Sequence, residues 1–148
     1  MTTKSKGDIA ECAVMLYALK RDWGVLQPFG DRLPYDLVLD IDGSLVRIQV
    51  KSAWFDANKQ NYVVDTRRTK TNRWVMKRST YNPADFDFAI AYIADLDVFY
   101  VMPSDIFISC GSEIHLVETD KRQRKPRSAA YRNAWELISG WAASKETY

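Results

Sequence analysis

A carboxylate, a carboxamide and an ammonium group converge on one face of a short hairpin predicted over residues 35–51. Asp36 lies near the start of the β-rich run Tyr35-Asp36-Leu37-Val38-Leu39-Asp40-Ile41, and Gln49 and Lys51 close a second run, Ser44-Leu45-Val46-Arg47-Ile48-Gln49-Val50-Lys51. Only Asp42-Gly43 separates them, and an Asp-Gly pair between two such runs is a strong hairpin signal. With those two residues as the whole loop, Ile41 pairs with Ser44 and Asp36 falls opposite Gln49. Strand alternation then puts Lys51 on the same face, while Leu37, Leu39, Ile41, Val46, Ile48 and Val50 line the other. Opposed Cβ atoms lie about 4.5–5.5 Å apart and diagonal ones about 7–8 Å, a span that one hydrated divalent cation can bridge. The trio is thus a candidate metal site. An ordinary half-exposed hairpin carries the same residue types on its solvent face, so the pattern alone leaves both readings open. A three-residue loop would shift the register and part Asp36 from Gln49.

The elements that must hold this hairpin can be read on either side of it. Ser5-Lys6-Gly7-Asp8 fits an N-terminal capping box, and Ile9, Ala13, Leu16, Tyr17 and the stem of Lys20 follow at helical spacing. Glu11 sits off that stripe, beside Met15 and Ala18, where a solvated helix glutamate is the plain reading. Residues 86–93 and 98–102 are apolar strands joined at Asp95-Leu96-Asp97, with a helical turn from Pro103-Ser104-Asp105. They extend the hairpin into a mixed sheet. Residues 128–143 close the chain as a helix whose apolar face is Ala130, Ala134, Trp135, Ile138 and Trp141. The expected fold class is α/β, a mixed central β-sheet flanked by helices. Trp135 and Trp141 read as core anchors, although a large apolar face on a terminal helix also suits a subunit interface.

A chain of 148 residues is one domain's worth, residues 1–148 forming a single unit with enough bulk for its own core. Its 47% hydrophobic and 27% charged residues are ordinary for a soluble protein. The longest apolar stretch, residues 88–94, is too short to span a bilayer and residues 1–8 are polar. Neither a signal peptide nor a membrane anchor is expected, which places the protein in the cytoplasm. Cys12 and Cys110 are too few for a zinc site or a disulfide framework, and His115, the sole histidine, falls in a strand-like segment. Histidine-based hydrolysis is therefore disfavoured.

The net charge of +2 conceals a segregation. Residues 66–80 carry Arg67, Arg68, Lys70, Arg73, Lys77 and Arg78 without an acid, and residues 121–127 add Lys121, Arg122, Arg124, Lys125 and Arg127. Two such acid-free runs suit phosphate, and double-stranded DNA is the natural partner. The first lacks helical periodicity and reads as a ribbon or loop able to enter a groove, where arginine pairs with guanine. The second reads as a loop clamping phosphates, with Gln123 placed to read a base. Solvated basic loops that touch nothing are the alternative.

Together, Pro34-Tyr35-Asp36, the hairpin, Gln49-Val50-Lys51 and the preceding helix with Glu11 resemble the PD-(D/E)XK nuclease core, the restriction-endonuclease-like arrangement. The resemblance is greatest to small homing endonucleases of bacterial group I introns, notably the cyanobacterial type. Further segments that carry it are Lys6-Gly7-Asp8-Ile9-Ala10-Glu11, residues 92–103 and Tyr131-Arg132-Asn133-Ala134-Trp135. Two departures stand out: Tyr35 separates Pro34 from Asp36, and Gln49 replaces the usual second acid. The second removes a negative charge from the metal site and throws weight onto Glu11. The resemblance implies metal-dependent hydrolysis of DNA phosphodiesters. Asp36 and Glu11 hold Mg²⁺, with Mn²⁺ as a substitute; Lys51 orients or deprotonates the attacking water, and Gln49 contributes an amide oxygen or a hydrogen bond to a metal-bound water. It also implies a homotetramer on nucleoid DNA, in keeping with the need for two copies to cut both strands. A junction-resolving nuclease, a restriction-type nuclease and a non-catalytic DNA-binding module remain alternatives at this stage.

Overall fold

A computed structural model of the chain describes residues 1–71, 76–119 and 125–145, with backbone alone at 69–71 and 76–79. It begins with helix α1 (Thr3–Lys20) and strand β1 (Gly24–Leu26), followed by the hairpin strands β2 (Leu37–Ile41) and β3 (Ser44–Ser52). Short strands β4 (Trp54–Asp56) and β5 (Asn61–Asp65) come next, then a ribbon of β6 (Arg68–Thr71) and β7 (Met76–Ser79). The chain returns through β8 (Phe88–Ile93), β9 (Val98–Pro103), helix α2 (Ser104–Ser109) and β10 (Glu113–Leu116), and ends in a 3-10 turn, Arg127–Tyr131, and helix α3 (Glu136–Ser144). Among the described residues no helix is long and apolar enough to cross a membrane.

The main sheet has five strands in the order β1-β2-β3-β8-β9. It is mixed, as expected, because β3 and β8 run parallel while every other neighbouring pair is antiparallel. Asp42 (φ 52°) and Gly43 (φ 91°) both take positive φ, the conformation a two-residue hairpin loop demands. The Asp40 carboxylate accepts from the Gly43 amide at 2.9 Å and helps fix the turn. Ile41 consequently pairs with Ser44 and Leu37 with Ile48, the register anticipated above.

Each face of the sheet is covered differently. Leu37, Leu39, Ile41, Val46, Ile48, Val50, Phe88 and Ile90 pack against α1 and α3 in one apolar cluster. Ala89, Ala91, Ile93, Tyr100 and Met102 face a second cluster built with Phe107 of α2, Val64 of β5 and Ile114 and Leu116 of β10. That second layer includes a three-stranded sheet ordered β10-β5-β4.

Three expectations about helices need correction. The first helix starts earlier than the Ser5–Asp8 box: Thr2 is its N-cap, and its hydroxyl accepts from the Ser5 amide at 3.1 Å. Its buried stripe is Ala10, Val14 and Ala18, whereas Ile9 and Leu16 point outward at 40% and 54% exposure. Small side chains let α1 lie close on the sheet, so the larger residues are left outside. Residues 128–143 are not one helix, because Asn133 (φ 49°) breaks it. Its amide donates to the Phe99 carbonyl at 2.6 Å and its side-chain oxygen accepts from the Phe99 amide at 2.9 Å. This pair closes the free edge of β9, and helix resumes beyond it. Ala130 is exposed, while Trp135 is buried and stacks on Tyr17 at 3.7 Å.

Candidate active site

Asp36 stands just before β2, where its amide donates to the Ile48 carbonyl at 2.9 Å and so extends the hairpin ladder by one position. Its carboxylate oxygen Oδ2 accepts from Gln49 Nε2 at 2.9 Å and from the Val50 amide at 2.8 Å. The other oxygen, Oδ1, accepts no hydrogen bond among the described residues. Burial pushes the Asp36 carboxyl up, against the opposing effects of the Val50 amide and the Lys51 charge.

Gln49 is buried, at 7% exposure, and its amide nitrogen also lies 3.3 Å from the Val50 carbonyl. Spending Nε2 on Asp36 leaves Oε1 as the group available to a cation or a water. A glutamate at this position would bring a second negative charge within hydrogen-bond distance of Asp36. The glutamine instead supplies a donor and orients the carboxylate.

Two residues on in β3, Lys51 projects from the same face, and its Nζ donates to the Arg67 carbonyl at 2.9 Å. The ammonium also lies 5.1 Å from the centre of the Tyr81 ring. Burial pushes the Lys51 amine down, and the charges of Asp36 and Asp65 partly oppose that shift. Sequence reasoning did not single out Tyr81 or the Arg67 carbonyl, since both come from distant segments and no local pattern marks them. The strand itself is fixed by Arg47, whose guanidinium pairs with the Asp87 carboxylate at 3.1 Å, whose amide donates to the same carboxylate at 2.8 Å, and whose carbonyl accepts from the Asp87 amide at 2.9 Å, just ahead of β8.

Glu11 reaches the hairpin from α1, in a cleft it shares with Asp31, Tyr35 and Asp36. Its carboxyl is pushed up to about 7, first by burial and then by the charges of Asp36 and Asp8. Asp31 is a carboxylate that sequence reasoning missed, because it lies in an irregular loop with no periodicity to flag it.

Oxygen donors from Glu11, Asp36 and Gln49 suit a hard divalent cation. Two mutually repelling carboxyl groups, one of them held to about 7, fit a positive ion between them. Among the described residues no three of His, Cys, Asp and Glu stand close enough to hold an ion alone. Water and a substrate oxygen would have to complete the shell, as Mg²⁺ commonly allows.

This proximity predicts a pH effect on stability. Glu11 in the folded protein holds a proton that the unfolded chain, near 4.5, releases, so unfolding free energy should fall as pH rises from 4.5 to about 7. Mg²⁺ should offset the fall, since a cation favours the ionised pair. Urea titrations on both sides of that window, with and without Mg²⁺, check this; a stability that rises with pH there would contradict it.

The basic residues are placed unevenly. Arg67 closes back on Asp65 with bonds of 3.0 and 3.1 Å, and Arg68 donates to the Arg32 carbonyl at 2.9 Å. The first basic run is a two-stranded ribbon, in which Lys70 lies opposite Lys77 and Thr69 opposite Arg78. Lys125 is exposed. Arg73, Lys121, Arg122, Gln123 and Arg124 lie outside the described residues. His115 is a strand residue of β10, and Cys12 and Cys110 are both free and exposed.

The mixed five-stranded sheet with its second antiparallel sheet and flanking helices is the fold of a PD-(D/E)XK endonuclease, and the chain belongs to that family, whose model matches residues 1–138. It is also similar to the bacterial homing endonuclease I-Ssp6803I, with 61% identity and a TM-score of 0.90 over 99% of this chain and 100% of that one. A second solved structure, MepB, aligns over 82% of each chain at 12% identity with a TM-score of 0.42. No curated protein sequence matches the chain.

Proposed function

We propose that this chain is a site-specific double-stranded DNA endonuclease of the intron-homing kind, hydrolysing phosphodiesters with Mg²⁺ and accepting Mn²⁺ in its place. The observation that carries the reading is Asp36, oriented through one oxygen by Gln49 and Val50 and leaving the other toward the cleft of Glu11. Similarity to a homing endonuclease at 61% identity supports it.

In this reading Asp36 Oδ1 and the Glu11 carboxylate would hold the Mg²⁺, with Gln49 Oε1 as a neutral donor to it or to a bound water. A bound Mg²⁺ neutralises charge on the scissile phosphate and lowers the pKa of an attached water. Gln49 keeps the Asp36 carboxylate from rotating. Lys51, with its amine pushed down and its position fixed by the Arg67 carbonyl, holds the attacking water in line or takes its proton. Its positive form also balances charge that builds on the phosphate oxygens.

Arg67, Arg68, Lys70, Arg73, Lys77, Arg78, Lys121, Arg122, Gln123, Arg124 and Lys125 form the DNA-contacting set, in segments attached to one nuclease domain of residues 1–148. Neutralising Arg68, Arg73 and Lys77 together should lower the slope of log affinity against log salt by about three units, roughly one per lost phosphate contact. An unchanged slope in binding assays across a salt series removes the ribbon from the DNA surface.

Copies of the chain act as a homotetramer in this reading, on the cytoplasmic nucleoid. Support comes from α1, whose outer side carries Ile9, Leu16 and Leu19 at 40%, 54% and 58% exposure. Sedimentation of the protein on its DNA as a single copy would contradict this. The function itself is tested by incubation with Mg²⁺ and a library of linear duplexes alongside branched ones. Cuts at one fixed site in linear duplex are expected; preference for branched DNA, or no cutting at all, would overturn the reading.

A further inference from the structure

One phenyl ring stands almost wholly in solvent on the loop between β1 and β2. Phe29 is 95% exposed, whereas no other large apolar side chain among the described residues, the terminal Met1 aside, exceeds 58%. The chain is constrained on both sides of it. Pro28 locks its own φ at about −65°, and Gly30 takes φ 78°, where a side chain would be strained. The ring is thereby held on a short tip, outside both apolar clusters.

The same loop forms part of the wall of the active-site cleft. Gln27, Pro28, Gly30, Asp31 and Leu33 line that cleft together with Glu11 and Asp36. Phe29 lies between two of these residues yet does not line the cleft itself, so its ring stands on the rim. Consecutive Cα atoms are about 3.8 Å apart, and each nucleotide advances about 3.4 Å along a DNA strand. A phosphate seated in the cleft therefore brings a neighbouring base step within reach of the ring. Toward β6 the loop is tied to the basic ribbon: the Arg32 carbonyl accepts from the Arg68 guanidinium at 2.9 Å, and Arg32 is itself exposed. Cations beside an apolar ring match a charged backbone and the bases it carries. A second copy of the chain seated on the ring would instead crowd the cleft that has to admit DNA.

We propose that Phe29 is an apolar wedge that enters the base stack of duplex DNA next to the scissile phosphate. Side chains used in this way part a base step and kink the duplex. The position beside the cut follows from the nuclease reading of the Glu11–Asp36 cleft. Parting costs least at pyrimidine–purine steps. Phe29 thus adds a preference for TA or CA at the cut, without any hydrogen bond to a base edge and separate from readout by the basic ribbon.

The test uses the full chain and a duplex selected from a random library by gel shift, so that the choice of duplex does not depend on cutting. 2-Aminopurine, which brightens when it is unstacked, is placed at each step in turn and read without Mg²⁺. The cut is mapped on the same duplex with Mg²⁺. Brightening is expected within roughly two nucleotides of the cut. Phe29→Ala should abolish it and weaken binding by about 5- to 100-fold, the range for a lost stacking contact. Its melting temperature and the sedimentation of the DNA-free protein should not change, because an exposed ring leaves no cavity when removed. Phe29→Leu retains a wedge and should keep most of both effects. Brightening that is absent or lies only away from the cut overturns the proposal, as does an alanine variant that binds and brightens like the parent. A change in sedimentation of that variant also overturns it, by seating the ring on a second copy. A parent that cuts without brightening refutes the wedge alone. One that brightens through Phe29 without cutting refutes the nuclease reading and leaves the insertion standing.

Discussion

Asp36→Asn is expected to reduce plasmid cleavage by about 10³-fold or more while leaving binding to target DNA intact. The local geometry explains why the change is chemical rather than structural. An asparagine can still present an oxygen to the Val50 amide, 2.8 Å from Asp36 Oδ2 in the parent chain. Its amide nitrogen must then occupy the place of Oδ1, turning N–H groups toward the position a cation would take. Fold and register survive, and the metal site is lost. Loss of a negative charge beside a phosphate also removes repulsion, so affinity for DNA should hold or rise. Paired cleavage and gel-shift measurements separate the two effects, and removal of Mg²⁺ from the parent protein should reproduce the mutant's phenotype. Full activity in the variant would take Asp36 out of the chemistry.

The hairpin was legible because its register depends on local chemistry. Asp42 and Gly43 can both adopt positive φ, and once the loop length is fixed every later pairing follows, including Asp36 opposite Gln49. Placing Glu11 was a different problem. The sequence of its helix shows a stripe of large apolar residues, yet the side that meets the sheet is Ala10, Val14 and Ala18, small residues that hydrophobic periodicity underweights. Ile9 and Leu16 gave the stronger signal and lie outside. Only the resemblance to a nuclease family connected Glu11 with the hairpin. The break at Asn133 was illegible for a related reason: its partner is the edge of β9, reached only after the sheet is assembled. The same holds for the environment of Lys51, since Tyr81 and Arg67 meet it through tertiary folding alone.

That environment sets the second large effect. Lys51→Ala is expected to slow cleavage by about 10²–10⁴-fold, the range for loss of a positioned proton-transfer group. Two consequences of the substitution must be kept apart. Removing Nζ leaves the Arg67 carbonyl without its 2.9 Å donor and loosens the junction between β5 and β6, which is a structural cost. It also removes the ammonium 5.1 Å from the Tyr81 ring, and with it the amine whose proton affinity burial has already lowered. Lys51→Arg discriminates between them. The guanidinium can still donate to the Arg67 carbonyl and carry positive charge, but it does not deprotonate at working pH. If Lys51 accepts a proton from water, the arginine variant should restore thermal stability yet remain nearly as slow as alanine, and the parent's rise in rate with pH should disappear from both variants. If Lys51 only orients water and balances charge, arginine should recover much of the rate. Single-turnover cleavage across a pH series, beside melting temperatures for the three proteins, decides between these roles. Parent-like rates in the alanine variant would exclude both.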